Sequence, residues 1–348
     1  MALMGSRGIT TGATSTWTSL SKPNSKHLFL TLDALDTLFT PKQRVPHVYA
    51  QYGAKYGINC GDPEDPKTQE SVGHSFIKAF KSQCQRSPLY GRPHCNNDFQ
   101  WWTSVIHNTF SPWHTDDSNE CIPDVLVKNV WEHFSSAENY TLFPDVMPLM
   151  KRLRTAKSKP GSFSGYQTVT VGIISNFDAR LPGLLTGLGL EVGPYRAWHG
   201  MNREEREEVD RGDTTKPALQ NPTTPNQANK SDPDPPENPY DFDFVILSSD
   251  ALQEKPSAGI FSLARNCALH VCEERKQASK KEQCADREID YVHVGNDVKK
   301  DAHAAKRAGW RGVHLAREAE ARPEADDGGV ESIASLEELE DLLGDKMD

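Results

Sequence analysis

Several groups able to do chemistry stand in this sequence directly after apolar runs. Asp33 follows Leu28–Leu32. Ser175 and Asn176 follow Val169–Ile174, and Asn296, Asp297 and Asp301 follow Tyr291–Val294 across Gly295. Lys255 lies on the loop after Phe242–Leu247. Carboxylates brought together in a poorly hydrated cleft repel one another and need a cation. Oxygen ligands with open positions suit Mg2+, which keeps several waters and takes a substrate phosphate oxygen. A lysine and a hydroxyl facing the metal would bind the remaining phosphoryl oxygens, and an aspartate can serve as covalent nucleophile. A hydroxyl beside helix-start amides is also an anion site. Singly, each group has a plainer role: Asp33 as a turn cap, Ser175 as a helix cap. Their order and spacing along the chain carry the reading.

To bring these groups together, the apolar runs must be strands of one sheet. In an open parallel sheet, ligands bind in the crevice beyond the carboxyl ends of the strands. The runs are nearly continuous rather than alternating, the pattern of strands buried on both faces. The expected fold class is therefore α/β, a parallel sheet flanked by helices, built from residues 27–41 and 142–320. A last short strand is expected at Gly312–Leu315. Helices are expected over Val146–Arg154, from Arg180 through Leu181, Leu184, Leu185 and Leu188, over Ile260–Cys267, and around Ala304, Ala305 and Ala308. Residues 42–141 read as a helical module inserted after the first strand. Four apolar series at helical spacing mark it: Val45–Tyr56, Val72–Phe80, Trp102–Thr109 and Val127–Phe134. Its aromatics are expected to be its own packing. Ile333, Leu336, Leu339 and Leu343 make the apolar side of a helix within a C-terminal tail, residues 321–348.

Three polar stretches interrupt this plan. Residues 1–26 are rich in Ser, Thr and Gly, hold no Asp or Glu, and read as a disordered tail. Residues 202–239 carry a charged run from Arg203 to Asp213 and then seven prolines. Such a segment cannot bury enough apolar area to offset ordering entropy, so a disordered surface insertion is expected. Glu273–Asp286 reads as a shorter one.

A formal net charge of −10 over 348 residues leaves no electrostatic footprint for nucleic acid or an anionic membrane surface. No apolar run approaches the length needed to span a bilayer. The expected partner is a small phosphorylated molecule, with neither nucleic acid nor membrane; composition does not set the oligomeric state. Seven scattered cysteines without a CxxC pair argue for a reducing compartment and against a disulfide framework or zinc site. Twelve histidines show no HExxH spacing and are read as structural. The expected compartment is the cytoplasm or nucleus. The mitochondrial matrix is the alternative, because residues 1–26 share the acid-poor, Ser-rich bias of transit peptides.

Four segments together give a family likeness: LTLDALDTLF from Leu30, GIISNFDARLPGLLTGLGL from Gly172, LQEKPSAGIF from Leu252 and VHVGNDVKKDAHAAKRAGW from Val292. On these the chain resembles the haloacid dehalogenase (HAD) superfamily of hydrolases, over residues 27–320 apart from the polar insertions. The resemblance implies a Rossmann-like core with a helical C1 cap between the first and second motifs, and Mg2+ as cofactor. It implies Asp33 as nucleophile and metal ligand, with the Leu35 carbonyl as a second ligand. Thr37 would support the loop and the substrate site, Ser175 and Asn176 would meet the phosphoryl group, and Lys255 would neutralise charge. Asp301, with Asn296, would help hold the metal.

Two departures bear on activity. Phosphatases of this superfamily place a second Asp two residues after the nucleophile to protonate the leaving group, and here that residue is Leu35. General acid catalysis contributes about 10²–10⁴-fold, and Asp36 follows Leu35 on a turning loop, where it points elsewhere. Position 296 is Asn where many members carry Asp, which removes one negative charge. Three readings stay open: a Mg2+-dependent phosphatase of weak or narrow activity, a catalytically impaired HAD-fold binding or regulatory protein, and a 2-haloacid dehalogenase.

Overall fold

The computed structural model describes residues 26–94, 97–114, 122–212, 239–279, 288–317 and 329–344. Seven parallel strands form one sheet in the order β5-β6-β4-β1-β7-β8-β9. They are β1 (Lys26–Leu32), β4 (Thr168–Ser175), β5 (Val192–Arg196), β6 (Phe242–Leu247), β7 (Glu288–Gly295), β8 (Arg311–Leu315) and β9 (Glu331–Ile333). A separate antiparallel ribbon pairs β2 (Phe39–Pro41) with β3 (Tyr140–Leu142). The α/β class expected from the apolar runs is the observed one.

β1 lies in the middle of the sheet, with Leu30 opposite Val171 of β4 on one side and Val292 of β7 on the other. Side chains alternate across it. Leu28, Leu30 and Leu32 enter one core with Val171, Ile173 and Val292. That face is covered by α5 (Val146–Ser158), α6 (Leu181–Gly187) and α12 (Leu339–Gly344), through Leu149, Leu153, Leu184 and Leu343. Phe29 enters the opposite core with Ile174, Phe244 and Ile246. There α10 (Ala258–Ser279) and α11 (His303–Arg307) supply Ile260, Ala264, Cys267, Ala304 and Ala305. Burial on both faces explains why these strands read as unbroken apolar runs.

Between β2 and β3 lie four helices: α1 (Val45–Lys55), α2 (Pro66–Arg86), α3 (Asp98–Phe110) and α4 (Asp124–Ser135). Helix α2 starts where its signals say it should. Pro66 occupies its first turn, and the Asp65 carboxylate accepts from the Lys67 N–H at 3.0 Å. Tyr49, Val72, Ile106, Phe110, Leu126 and Val130 close a core of the module's own. The chain enters and leaves this module side by side, with Lys42 N–H donating to the Asn139 carbonyl at 2.8 Å.

Four expectations are corrected. Ile333, placed on a helix by its spacing, lies in edge strand β9 beside Leu315, so the sheet extends past residue 320. Only Leu336, Leu339 and Leu343 follow in helical turns, and they are buried in the core rather than in a tail. Part of the polar insertion is ordered: α8 (Arg203–Gly212) follows a short α7 (Ala197–Gly200). Asn202 Oδ1 accepts the Glu205 N–H while Glu205 accepts the Asn202 N–H, a reciprocal cap that the charge count concealed. Likewise α10 carries on to Ser279, into the second polar run. Strand β5 was not anticipated. It contains Gly193 and Pro194, and Gly193 packs so closely that an added Cβ would lie 2.5 Å from the Asp243 carbonyl oxygen. Residues 1–25 and 213–238, and with them the expected tail and most of the expected insertion, lie outside the described residues. A four-residue turn of helix, α9 (Ser248–Ala251), leads from β6 into the Lys255 loop.

Among the described residues no helix is long and apolar enough to cross a membrane. Cys60, Cys84 and Cys267 are free thiols.

Candidate active site

The carboxyl ends of β1, β4 and β7 and the loop after β6 meet at one point. Asp33 stays in sheet register one residue past β1, its N–H donating to the Val294 carbonyl at 2.9 Å. The chain then folds back on itself. The N–H groups of Thr37, Leu38 and Phe39 all point to the Ala34 carbonyl, and that of Asp36 donates to Phe39. This leaves the Leu35 carbonyl unused by the turn. Asp36 takes a left-handed φ of 60°, and its carboxylate accepts the Thr40 hydroxyl at 3.0 Å. It therefore does not stand in for the missing acid at position 35.

Lys255 reaches in from the β6 side and lies between two carboxylates. Its Nζ is 2.6 Å from Asp301 Oδ1 and 2.8 Å from Asp33 Oδ1. The contact to Asp301 is an aligned hydrogen bond. The contact to Asp33 is an ion pair out of alignment, and Asp33 Oδ1 is a buried oxygen that receives no hydrogen bond. Exposure grades outward: the side chains of Asp301, Lys255 and Asp33 are 0%, 2% and 14% exposed. Asp33 is the carboxylate that meets the cleft.

Asp301 is tied from all sides. Oδ1 also faces His293 Nε2 at 3.2 Å, and Oδ2 accepts the Asp297 N–H at 2.9 Å. A π-helical turn over Val298–Ala302 turns its side chain back to the strand end. Asp297 caps that turn, its Oδ1 accepting the N–H groups of Lys299 and Lys300. A Cβ at Gly295 would lie 2.3 Å from the Asp301 carboxyl, so only glycine fits there.

Burial opposes charge on Lys255, but Asp33 and Asp301 outweigh it and raise its pKa, so it stays an ammonium. Burial likewise opposes the Asp301 carboxylate, and Lys255 with the His293 contact holds it below the carboxylate range. Burial lowers the His293 pKa and keeps the ring neutral near pH 7. A neutral ring that donates from Nε2 to Asp301 must accept at Nδ1, and the Thr31 hydroxyl lies there at 2.9 Å. Two carboxylates share one ammonium, which leaves the cluster with an excess negative charge.

The other expected residues have different first tasks. The Thr37 hydroxyl, fully buried, donates to Asn296 Oδ1 and accepts the Asn296 N–H, both at 3.2 Å. It joins two loops rather than facing a substrate. The Asn176 side chain clamps the backbone of Lys255: Nδ2 donates to its carbonyl at 2.9 Å, and Oδ1 accepts its N–H at 2.8 Å. One amide hydrogen and the amide oxygen thus position the lysine backbone. Ser175 ends β4, buried in register with Leu247.

Sequence reading missed His293 and Thr31. Their signal was a polar residue inside each buried strand, which must find a partner. It also missed the latch behind the turn. Arg317 donates to the Thr37 carbonyl at 2.6 Å, pairs with Asp145 at 2.8 Å and lies 3.9 Å over the Phe143 ring.

The Asp33 carboxylate, which meets the cleft, and the Leu35 carbonyl, which the turn leaves unused, are hard oxygen donors, and the excess charge favours a cation, so these residues fit Mg2+. Asp301, with both oxygens engaged, fits as a charge behind Lys255 and Asp33 better than as a direct ligand. Among the described residues no group of three His, Cys, Asp or Glu side chains is arranged to hold a metal ion.

Beside the cluster opens a cavity of about 300 Å3 between sheet and helical module. Its floor is Leu35, Asn176 and Phe177, and its walls are mostly the module's aromatic rings. Those rings pack on one another, the reading favoured over a ligand box from the sequence, and they also bound this space.

No protein-family model matches the chain. It is similar to a "putative uncharacterized hydrolase" of Schizosaccharomyces pombe, 23% identical over 291 residues, which span 83% of this chain and 91% of that one. It is similar to "haloacid dehalogenase-like hydrolase domain-containing protein 3" of Danio rerio, 24% identical over 307 residues, covering 88% and 92% of the two chains. A solved 2-haloacid dehalogenase from Pseudomonas syringae aligns with a TM-score of 0.45 at 17% identity, covering 92% of this chain and 99% of that one.

Proposed function

The chain belongs to the haloacid dehalogenase superfamily of hydrolases, and from that premise we propose that it is a Mg2+-dependent phosphatase of narrow scope with Asp33 as nucleophile. The observation that carries this reading is the Asp33–Lys255–Asp301 relay. It holds Asp33, the most exposed of the three side chains, at the cleft with an ammonium kept charged beside it. In this reading an Asp33 oxygen attacks phosphorus, and the ester oxygen leaves with its bonding pair. Water then attacks the aspartyl-phosphate and returns the carboxylate and inorganic phosphate. Lys255 balances the charge of the phosphoryl oxygens. Asp301, held low in pKa, keeps the lysine in place, and Asn176 fixes its backbone. Asp33, the Leu35 carbonyl, Asn296 and, from behind, Asp301 would hold the metal, which when bound neutralises phosphoryl charge. The helical module acts as a cap over the cleft.

Leu35 and Asn296 favour one second reading, a HAD fold retained for binding with catalysis impaired. Turnover of 4-nitrophenyl phosphate with and without Mg2+ decides between them. Hydrolysis that needs both Mg2+ and Asp33 supports the phosphatase. No turnover at any Mg2+ concentration overturns it. Chloride release from 2-chloropropionate without phosphatase activity would assign the site to dehalogenation.

A further inference from the structure

We infer that the leaving group is a planar aromatic alcohol, so that the substrates are aryl phosphate monoesters of one or two rings. This rests on the phosphatase reading of the same site and deepens it. Two independent features point the same way.

The first is the cavity. Tyr49, Phe76, Phe80, Trp102, Trp131 and Phe134 wall it, and their mutual contacts fix them: Tyr49–Phe76 at 5.2 Å, Phe80–Trp102 at 5.7 Å between ring centroids. Fixed rings offer flat faces and edges to another ring. A void of roughly 150 Å3 in an engineered protein core takes up benzene. The cavity here, at about 300 Å3, has room for two fused rings. Its charged lining residues, Arg180 and Asp178, neutralise each other. Arg180 Nε and Nη2 donate to the two Asp178 oxygens at 2.8 and 2.6 Å, and Nη1 donates to the Phe134 carbonyl. Trp131 and Trp102 stack on the guanidinium at 4.2 and 5.1 Å, and Trp102 N–H takes an Asp178 oxygen at 2.8 Å. This arrangement leaves little for a substrate carboxylate or second phosphate to bind, and much for an apolar ring.

The second feature is Leu35, which lies on the cavity floor two residues after Asp33. It cannot protonate a departing oxygen. A phenol ionises with a pKa of about 10, as tyrosine does, against roughly 16 for water. A phenoxide therefore leaves without an acid where an alkoxide does not. As the Asp33–phosphorus bond forms, the phosphorus–oxygen bond breaks with its pair on the phenoxide, which takes a proton from solvent on release. Water then cleaves the aspartyl-phosphate to phosphate and carboxylate, and its spare proton passes to solvent. The same residue is thus a poor acid and a good seat for a ring.

The test pairs binding with turnover on the full-length protein. Titration calorimetry compares 2-naphthylphosphonate with methylphosphonate, neither of which can be hydrolysed. The naphthyl compound is expected to bind about 10- to 100-fold more tightly, from ring burial less the costs of association. Val130, 1% exposed on the cavity wall, is changed to Phe to fill the space, and Phe80→Ala enlarges it. Filling should remove most of the advantage. Should that variant fail to fold, enlargement should shift the preference toward biphenyl-4-ylphosphonate. Equal affinities for naphthyl and methyl compounds overturn the inference. Tight naphthyl binding that responds to these changes, with no ester hydrolysed, keeps the pocket and sinks the phosphatase reading. Hydrolysis of naphthyl and glycerol phosphates at equal rates, with no binding advantage, does the reverse.

Discussion

The sheet carries a buried ionic cluster at each end, and the two are built differently. At the amino end of β6, Asp243 is fully buried and faces two cations, Lys157 at 2.8 Å and Arg275 at 2.6 Å. Its second oxygen accepts the Val171 N–H at 2.7 Å. Its neighbour Asp241 is forked by Arg154. At the carboxyl ends two carboxylates share one lysine, and an oxygen of Asp33 lacks a hydrogen bond. In the first cluster every carboxylate meets at least one cation of its own, and in the second two carboxylates share one. A site whose charge and hydrogen bonds close within the protein has nothing left to offer a ligand. One left short of positive charge can take a metal ion or the charge of a reaction. The pKa directions agree. Burial opposes the Asp243 carboxylate, but Lys157 and Arg275 lower its pKa, whereas burial lowers that of Lys157 despite its partner. The pair is asymmetric because the aspartate has two counterions.

Asp33→Asn makes the sharpest break between the two ends. Aryl phosphatase turnover should fall at least about 10⁴-fold, in the range seen when an enzyme loses its nucleophile. Unfolding free energy should change little, since the weakened contact to Lys255 is offset by removal of a like charge near Asp301. A comparable loss of stability would make Asp33 a structural residue of the Asp243 kind. Leu35→Asp comes next. Alkyl phosphates should gain within the general-acid range of about 10²–10⁴-fold and aryl phosphates little. Equal gains on both classes, measured across pH to expose coupling to Asp33, would show that Leu35 is not what limits catalysis.

Asp243→Ala should do the opposite of Asp33→Asn. It strands Lys157 without its nearest carboxylate and should cost about 3–5 kcal/mol in urea unfolding, with the substrate preference of the remaining folded protein unchanged. A loss below about 1 kcal/mol would mean that water reaches this end of the sheet. The smallest effect is on acid stability. The folded pKa of Asp243 lies below its unfolded value of about 3.9, so its contribution is complete above that pH and disappears as pH falls toward the folded pKa. Unfolding free energy should therefore drop below about pH 4, and Asp243→Asn should drop less steeply over the same range. Parallel curves would mean that other carboxylates carry the slope.

What could be read in the sequence follows burial. β1, β4, β6 and β7 are covered on both faces, and their apolar runs marked them within a few residues. The polar groups at their ends marked Asp33, Lys255 and Asp301, because a charge directly after a buried strand has few places to go. The edges did not show. β5 holds a glycine and a proline and β9 spans three residues, so neither has an apolar run to display. Side-chain direction was also hidden: nothing in the order of residues says that Asn176 grips the Lys255 backbone or that Thr37 bonds Asn296. The cavity was least visible of all. Its walls come from helices far apart in the chain, and helical spacing reveals that an aromatic faces inward without revealing whether the inside is full.

The antiparallel ribbon at the neck of the helical module has a consequence for how such a molecule can diversify. Both ends of the module pass through β2 and β3, and Lys42 meets Asn139 across the neck. Closing a chain segment costs free energy that grows only as the logarithm of its length. An insertion made at this neck can therefore lengthen, shorten or change its helices while the strands below keep their register and the turn after Asp33 its shape. The strand ends and the helical module can thus change in sequence and length separately.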